Sequence, residues 1–345
     1  MAPHTDRHGA AEAAAKARDA SAEAARLGRR SARLRLRAAW MYYVEEMTQN
    51  AIAEALGVGR VTVVRLLNDA RALHEVKITL SREIAELPRL EFALQKAFGL
   101  AEAVVVPLSG KGADPTATIG AATGAYVSSL VRPGMKIGLG WGRTLLQSLA
   151  FVDEKPVPGL SVVSLLGGIT KAKQFNPTEF AWQFSRLFHA ECYLVTAPVL
   201  VDTVETKQTL VEHCGLGDIF EMARSLDAVV VSAGSVGPEG TCFRFGFVDD
   251  EDRRSLIAAG AVGDLLYQFY DIEGKLVDHP INSRVMAVPT ETLRATPQKV
   301  LTAGGKDKTE AIIGALRLLR PSVLITDEAS AAAVLAYAGG PSAER

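Results

Sequence analysis

The sequence predicts an α/β protein in which a small helix-turn-helix module precedes a larger domain built on a mostly parallel sheet. Residues 48–68 have the pattern of two short helices around a glycine turn. From about Leu87 onward, short β-branched runs alternate with helical patterns, which is typical of a parallel sheet covered by helices. Three segments follow: a disordered or loosely helical tail over 1–33, the helix-turn-helix over 34–80, and a Rossmann-like domain over 87–340.

Charge is distributed unevenly along the 345 residues. The net charge is −1. Residues 1–80 form a basic head with 13 Lys and Arg and 9 Asp and Glu, whereas the remaining residues form an acidic body with 25 Lys and Arg and 30 Asp and Glu. A basic head on an acidic body is typical of a protein that contacts nucleic acid at one end only. The apolar content of 48% fits a soluble globular protein.

Cysteine usage and hydropathy favour a cytoplasmic protein. Cys192, Cys214 and Cys242 are odd in number and far apart, which indicates buried thiols rather than a disulfide framework or a zinc site. No apolar run reaches membrane-spanning length, and the Ala- and Arg-rich start is unlike a signal peptide. We expect that the protein does not associate with a membrane and does not use a metal ion or a cofactor.

The first helix of the pair begins after Thr48, whose hydroxyl can accept a hydrogen bond from a free amide at the helix start. Ile52, Ala53 and Leu56 fall on one face at helical spacing. Gly57 follows, where a left-handed residue ends a helix without steric cost. This pattern predicts a short helix that packs its apolar face against a second one.

The second helix has an inward face and an outward face. Val63, Leu66 and Leu67 repeat at helical spacing and should point inward. The outward groups are those that read base edges or hold phosphates: Arg60, Val61, Thr62, Val64, Arg65 and Asn68. Thr48 and Gln49 complete the candidate DNA-binding set. The alternative is an ordinary helical hairpin with a solvated Arg face, and Gly59 is a weaker N-cap than Ser or Thr.

An arginine run precedes the helix pair, with no acidic residue until Glu45. It suits a phosphate backbone, although a solvated helix face would have the same composition. The run comprises Arg26, Arg29, Arg30, Arg33, Arg35 and Arg37.

The body alternates predicted strands and helices, joined to the head at Ser81 to Pro88. Continuous Val, Leu and Ile runs indicate strands buried on both faces. The predicted strands are 103–106, 136–139, 161–166, 192–196, 228–232, 285–288, 300–303 and 323–326. The predicted helices are 87–98, 116–130, 144–149, 177–188, 308–318 and 328–338.

Glycine-rich loops follow several of these strands, where ligands bind to parallel sheets. The loop from Gly138 to Thr144 could bring backbone amides close to an anion, with donors added by its last two residues. A tight turn is the alternative for each loop. The candidate ligand-binding residues are Gly138, Gly140, Trp141, Gly142, Arg143, Thr144, Gly167, Gly168, Gly234, Asp271, Gly304, Gly305 and Lys306.

Two kinds of enzyme site find no support. A dinucleotide fingerprint would need Gly at 143, which is Arg, and no well-placed ribose-binding acid follows. His74, His189, His213 and His279 are scattered, without a nucleophile elbow or paired acids. No catalytic residue is predicted.

The chain resembles the SorC family of bacterial transcriptional regulators, often grouped with DeoR-type sugar regulators, from about Leu34 to Tyr337. Each matching stretch is short, and their order and spacing make the match specific. The stretches are Met47-Thr48-Gln49, Ile52-Ala53, Leu56-Gly57-Val58, Arg60, Thr62-Val63, Arg65-Leu66-Leu67, the loop 138–144, Gly260-Ala261-Val262-Gly263-Asp264, Ala303-Gly304-Gly305-Lys306, Ala311-Ile312, Ala315-Leu316 and Leu324-Ile325-Thr326-Asp327-Glu328.

The resemblance implies a winged helix-turn-helix, a sugar-binding domain related in fold to sugar-phosphate isomerases, tetramers, and a phosphorylated sugar or polyol as effector. It also implies that the 140–144 loop and Lys306 contact phosphate, and that Gly167 and Gly168 form a second pocket loop. Two positions depart from the family pattern. Gly59 stands where Ser is common, and Leu166 stands where a lysine could form a Schiff base with an aldehyde effector. Covalent effector capture is therefore not expected, and Lys171 is too far along to substitute.

We expect a cytoplasmic, DNA-binding regulator of carbohydrate or polyol catabolism, assembled as a dimer or tetramer, with a phosphorylated sugar or polyol as effector. One alternative is a sugar-phosphate isomerase or deaminase whose N-terminal helices serve oligomerisation. The other is a regulator of a non-phosphorylated sugar or polyol.

Overall fold

The computed structural model describes residues 31–76, 87–110, 112–169, 176–244 and 248–339. The chain divides into two compact units, Met1–Leu80 and Ser81–Arg345. The predicted tail up to residue 30, most of the predicted joint at 81–88 and Lys171 lie outside the described residues. No helix in the described ranges is long and apolar enough to cross a bilayer.

The first unit contains three helices in its described part: α1 over residues 31–43, α2 (Gln49–Leu56) and α3 (Arg60–Ala72). Residues 31–33, assigned to the tail from the sequence, already belong to α1. The resemblance to the SorC family implies a wing; the described residues of this unit contain no strand, and residues 77–86 lie outside the described ranges.

The second unit is built on a parallel sheet of seven strands among the described residues, in the order β1-β10-β9-β5-β2-β3-β4. The strands, including three of a smaller sheet, are β1 (Glu102–Val106), β2 (Lys136–Leu139), β3 (Ser161–Ser164), β4 (Glu191–Tyr193), β5 (Ala228–Val231), β6 (Ala233–Ser235), β7 (Gly263–Leu265), β8 (Gln268–Tyr270), β9 (Gln298–Thr302) and β10 (Val323–Asp327).

Helices cover the sheet, and apolar clusters lie on both of its faces. They are α4 (Leu87–Phe98), α5 (Thr116–Leu130), α6 (Arg143–Ser148), α7 (Pro177–Leu187), α8 (Val204–His213), α9 (Gly217–Ala223), α10 (Thr241–Arg244), α11 (Asp250–Ala258), α12 (Pro280–Arg284), α13 (Thr290–Ala295), α14 (Thr309–Leu319) and α15 (Glu328–Gly339), with 3₁₀ turns at Leu149–Phe151 and Lys306–Lys308. Every residue of β5 and β10 is buried, which confirms the doubly covered parallel sheet.

The sequence missed the smaller sheet, in which β6, β7 and β8 pair antiparallel. It also assigned a strand to Val285–Val288, and this prediction is wrong. That run forms isolated bridges, Leu200 to Val285 and Leu166 to Ala287, rather than a ladder. The run is apolar because it is buried, and burial does not require strand geometry.

The parallel sheet contains a point where the chain reverses direction across it. From β2 the chain moves outward through β3 and β4, then returns to β5 on the other side of β2 and continues to β9 and β10. The carboxyl ends of β2 and β5 therefore flank a topological switch point, where sheets of this kind bind ligands.

Candidate functional site

The helix pair of the first unit has the local features that the sequence predicts. The Oγ1 atom of Thr48 accepts a hydrogen bond from the Ala51 amide at 3.2 Å, which caps α2. Gly57 ends α2 in a left-handed conformation, with φ of 64°. Gly59 precedes α3 without a side-chain cap. The predicted turn geometry is confirmed.

The apolar faces of α2 and α3 pack against α1. Ile52, Val63, Leu66 and Leu67 are buried, together with Ala38 and other α1 residues. Burial of four large aliphatic side chains contributes about 1.5–3 kcal/mol each, which fixes the angle between α2 and α3. The orientation of the outward face of α3 therefore depends on a rigid apolar core.

The opposite face of α3 is open to solvent. Arg60, Val61, Arg65 and Asn68 are exposed, and Thr62 is partly buried. Among the described residues, neither Arg60 nor Arg65 has a hydrogen-bond or ion-pair partner. Two exposed cationic side chains on one helix face, with no partner among the described residues, can contact bases or phosphates.

The start of α2 and the start of α3 meet at one surface depression. Thr48, Gln49 and Arg60 line it together with Asn50. Three of the predicted DNA-binding residues, one pair at the start of α2 and one at the start of α3, thus share one surface.

Arg35 has a different role from the one the sequence suggested for it. Its guanidinium forms two hydrogen bonds with the Glu75 carboxylate, at 2.6 Å from Nε and 2.5 Å from Nη2. These bonds lower the pKa of Glu75. Arg35 therefore joins α1 to the segment after α3 and is not available to phosphate. Arg33 and Arg37 are exposed, whereas the earlier arginines lie outside the described residues.

In the second unit, a pocket lies at the switch point between β2 and β5. Its walls come from the loop after β2 with the start of α6, from Ser232 and β6, from β7, and from the starts of α5 and α10 and the 3₁₀ turn before α14. We call it the switch-point pocket, and its lining residues are Thr116, Trp141, Gly142, Arg143, Thr144, Ser232, Ala233, Gly234, Thr241, Cys242, Asp264 and Lys308.

Two cationic side chains reach this pocket. Lys308 is partly buried, and its Nζ atom donates a hydrogen bond to the Ala233 carbonyl at 3.0 Å. Burial lowers the pKa of Lys308, and the nearby Arg143 guanidinium lowers it further. Arg143 lies 3.9 Å from the Asp114 carboxylate and retains 41% of its side-chain exposure. An anion placed between the two cations would offset their mutual repulsion.

A buried carboxylate also lines the pocket. Asp264 is 4% exposed, and its Oδ2 atom accepts a hydrogen bond from the Tyr267 amide at 3.0 Å. Burial raises the pKa of Asp264, while the Cys242 thiol and Lys308 act in the opposite direction. This carboxylate can accept hydrogen bonds from ligand hydroxyls. One weak signal for it is visible in the sequence, a single acid within the short strand Gly263-Asp264-Leu265.

Gly234 and Trp141 determine the shape of the pocket. A Cβ atom on Gly234 would lie 1.9 Å from Oδ1 of Asp264, so only glycine fits beside that carboxylate. The Trp141 ring stacks on Tyr267 with centroids 5.4 Å apart and an angle of 20° between the planes. Leu266 and Tyr267 form the two-residue turn between β7 and β8 with φ of 55° and 61°, which is uncommon for large side chains.

Gly142 separates β2 from α6 with φ of 143°, a conformation that favours glycine. Gly140 is closely packed, because a Cβ atom there would lie 3.1 Å from a methyl carbon of Leu266. Gly138 is part of β2 rather than of the loop, and a Cβ atom on it would lie 2.7 Å from Leu226. Gly138 therefore serves packing of the sheet, which corrects its assignment to the ligand-binding loop.

The amides of Gly167 and Gly168 are already used within the protein. They donate to the carbonyls of Met286 and Ala197, each at 2.8 Å. These glycines do not line the switch-point pocket. Leu166 before them is fully buried. Among the described residues, these two amides therefore have acceptors within the protein, and the second pocket loop that the resemblance implies is not part of the switch-point pocket.

Asp271 closes a turn away from the switch-point pocket. Its Oδ1 atom accepts a hydrogen bond from the Lys275 amide at 2.9 Å, and its own amide donates to the Lys275 carbonyl at 2.8 Å. The plain turn, which the sequence left open as the alternative to a ligand contact, is the observed arrangement.

The loop before α14 is held by a buried carboxylate. Asp327 accepts a hydrogen bond from the Gly305 amide at 2.9 Å, and its Oδ2 atom lies 2.3 Å from where a Cβ atom on Gly304 would be. Lys306 is exposed and is not part of the pocket lining, whereas Lys308 is. The structure thus places a different lysine of this loop beside Arg143.

A comparison with known families and structures agrees with this arrangement. A family model described as "Putative sugar-binding domain" matches residues 82–336. The crystal structure of the full-length Sorbitol Operon Regulator SorC from Klebsiella pneumoniae is 27% identical, with a TM-score of 0.66, covering 88% of this chain and 98% of that one. The chain belongs to the SorC family of transcriptional regulators. The predicted resemblance is confirmed.

Two curated regulatory proteins match both units. The "Deoxyribonucleoside regulator" of Bacillus subtilis is 30% identical over 311 residues, which are 90% of this chain and 99% of that relative. The "Erythritol catabolism regulatory protein EryD" of Brucella abortus is 29% identical over 309 residues, 89% of this chain and 98% of that relative. Both alignments are longer than the second unit, Ser81–Arg345, and therefore extend into the helix-turn-helix unit.

Proposed function

We propose that this SorC-family regulator is a cytoplasmic protein whose affinity for operator DNA is controlled by a phosphorylated sugar or polyol in the switch-point pocket. The observation that carries the proposal is the convergence of Arg143, Lys308 and Asp264 on one cleft. Two cations suit a phosphate group, and a buried carboxylate suits sugar hydroxyls. One ligand that carries a phosphate group and hydroxyl groups satisfies all three side chains.

Residues 34–80 are assigned to DNA binding and residues 87–340 to effector binding and oligomerisation. The exposed side chains of Arg60 and Arg65 on α3 support the first assignment. A dimer or tetramer would present paired α3 helices to half-sites about one helical turn apart, so a small movement of subunits suffices to change operator affinity.

The names of the relatives support the chemical class of the ligand. Deoxyribonucleoside, erythritol and sorbitol, which appear in three of those names, are sugar-containing or polyol compounds. In the pocket, Gly142 and Gly234 leave the backbone accessible, and Thr144 adds a hydroxyl, so small hydroxylated ligands fit its chemistry.

Thermal-shift screening of the full chain against matched pairs of sugars and sugar phosphates tests the proposal. A ligand that binds only the native state raises the melting temperature by mass action. We expect phosphorylated members to raise it more than their unphosphorylated partners, and Arg143→Ala to abolish the difference. Arg132→Ala, at an exposed position with the same change of charge, is the matched control.

Two outcomes would favour the alternatives. If Arg143→Ala leaves calorimetric affinity for the best ligand unaltered, the effector is not held by its phosphate. If the purified protein converts sugar phosphates to products, the chain is the isomerase-like enzyme of the first alternative.

A further inference from the structure

Helix α3 exposes apolar side chains on the same side as its polar ones. Val61, Val64, Arg65 and Asn68 are exposed, and they are spaced as positions i, i+3, i+4 and i+7 of a helix. This spacing places the four side chains in one row along the helix, and we call them the outer row of α3. The buried residues of the helix have the same spacing on its opposite side, so packing fixes the direction of the outer row.

The fold itself does not account for the valine at the start of the outer row. Val61 is 84% exposed, more than any other large apolar side chain in the described part of the chain, and Val64 is 36% exposed. Valine is also a weaker helix former than alanine, because its branched Cβ atom restricts χ1. Neither packing nor helix propensity therefore explains Val61, whereas contact with a binding partner would bury its two methyl groups.

The charges around the two valines suit DNA as this partner. Arg60 precedes Val61 and Arg65 follows Val64, and both arginines are exposed. An apolar protein surface that covered the valines would also bury two guanidinium groups, which is costly unless each is paired. In the major groove of DNA, the guanidinium groups can reach phosphates or guanine edges while the valine methyl groups meet base edges.

Thymine is the base that presents an apolar group in the major groove, its C5-methyl group. In a helix-turn-helix, the first residues of the second helix contact the base edges, and Val61 is the second residue of α3. We propose that Val61 packs against the C5-methyl group of a thymine, so that each operator half-site carries an A·T pair in one fixed orientation opposite the start of α3. This inference rests on the proposed function, because it names a base that the DNA-binding unit selects.

Duplexes that the full chain enriches from a random-sequence pool are the probes for this contact. In the most enriched duplex, each thymine of the half-sites is replaced in turn by deoxyuridine, which lacks only the C5-methyl group and keeps the base pair. We expect one of these replacements to weaken binding of the native chain by about four-fold per half-site, the factor that corresponds to about 0.8 kcal/mol for one buried methyl group. Deoxyuridine in place of a thymine outside the half-sites is the DNA control.

Val61→Ala tests whether this side chain is the partner of that methyl group. The variant should bind the thymine and deoxyuridine duplexes with equal affinity, because one side of the contact is already missing. The change removes two methyl groups from an exposed helix position, so the variant should fold like the native chain. Leu73→Ala is the matched control, since Leu73 is an exposed apolar residue (56%) at the other end of α3, and it should keep the native four-fold difference.

The outcomes separate failure of the inference from failure of the proposed function. If the native chain enriches no sequence from the pool, the proposed function fails. If it enriches a sequence but no deoxyuridine replacement weakens binding, or Val61→Ala keeps the native difference between the duplexes, the inference is overturned and the DNA-binding function stands. If Val61→Ala binds every duplex like the native chain but elutes as a smaller assembly in size-exclusion chromatography, Val61 contacts protein, which also overturns the inference.

Discussion

Replacing Gly234 by alanine should disturb the switch-point pocket at its buried carboxylate. Gly234 and Asp264 are paired across β6 and β7, and the new Cβ atom would lie 1.9 Å from Oδ1 of Asp264. Carbon and oxygen atoms in contact are separated by more than 3 Å, so one of the two strands or the carboxylate must move by more than 1 Å (about the size of the overlap).

Either movement would destabilise the fold by breaking contacts that the structure shows. Rotation of Asp264 would remove the acceptor of the Tyr267 amide, which is buried, and an unpaired buried amide costs about 1–3 kcal/mol. Displacement of β6 would instead move the Ala233 carbonyl away from Lys308. Overpacking of this kind costs about 1–3 kcal/mol, so we expect Gly234→Ala to lower the melting temperature by about 2–4 °C per kcal/mol.

Differential scanning calorimetry of the full chain checks the stability effect, and ligand titration of the same variant checks the pocket. Gly110→Ala is the matched control, because a Cβ atom at Gly110 has no neighbour within 4 Å. We expect the Gly234 variant to lose at least about ten-fold in affinity for the effector, since the carboxylate that receives ligand hydroxyls is displaced. A Gly234→Ala variant that melts and binds like Gly110→Ala would refute this description of the pocket.

Three further predictions concern the first unit. Arg60→Ala and Arg65→Ala should each weaken operator binding by about 1–3 kcal/mol per half-site in anisotropy titrations and leave the response to the effector intact. If both variants bind the operator as tightly as the native protein, the exposed face of α3 is not the DNA contact. Gly59→Ser should raise the stability of the unit by a few tenths of a kcal/mol, because it adds an N-cap at an unhindered position; a lower melting temperature would contradict the cap. Arg35 lowers the pKa of Glu75 below its ordinary value of 4.5, so the ion pair stabilises the fold above pH 4.5 and stabilises it less as the pH falls. The difference in unfolding free energy between the native protein and Arg35→Met should therefore become smaller on acidification. A difference that stays constant with pH would contradict this interpretation.

Local signals made the first unit predictable from the sequence. Thr48 and Gly57 determine the ends of α2 through a capping hydroxyl and a left-handed turn, and the spacing of Val63 and Leu66 determines the inward face of α3. Each of these features acts within a few residues. The partner of Arg35 could not be read in the same way, because Glu75 lies 40 residues along the chain.

The larger sheet was equally predictable, since continuous apolar runs indicate strands that are buried on both faces. The smaller sheet was not. Its strands have three residues each, and the turn between β7 and β8 carries Leu266 and Tyr267 where a sequence-based assignment expects Gly or Asn. The wall of the pocket that holds Asp264 depends on this hairpin, so its contribution became visible only in three dimensions.

Side-chain direction explains the difference between Lys306 and Lys308. The sequence placed the start of the helix at Lys308, whereas the structure has a 3₁₀ turn over both lysines and begins α14 at Thr309. The two lysines are two residues apart and therefore point in different directions on the turn. Lys308 is directed to the Ala233 carbonyl and the pocket, and Lys306 is directed to solvent.

Coupling between the pocket and the helix-turn-helix is the central claim, and operator titration of the full chain at rising effector concentration tests it most directly. The probe is the sugar phosphate that gives the largest thermal shift. We predict that it changes the operator dissociation constant, and that Arg143→Ala keeps the effector-free value while losing the change. An operator affinity that is identical with and without saturating ligand, or an equal response from the Arg143 variant, would contradict the account.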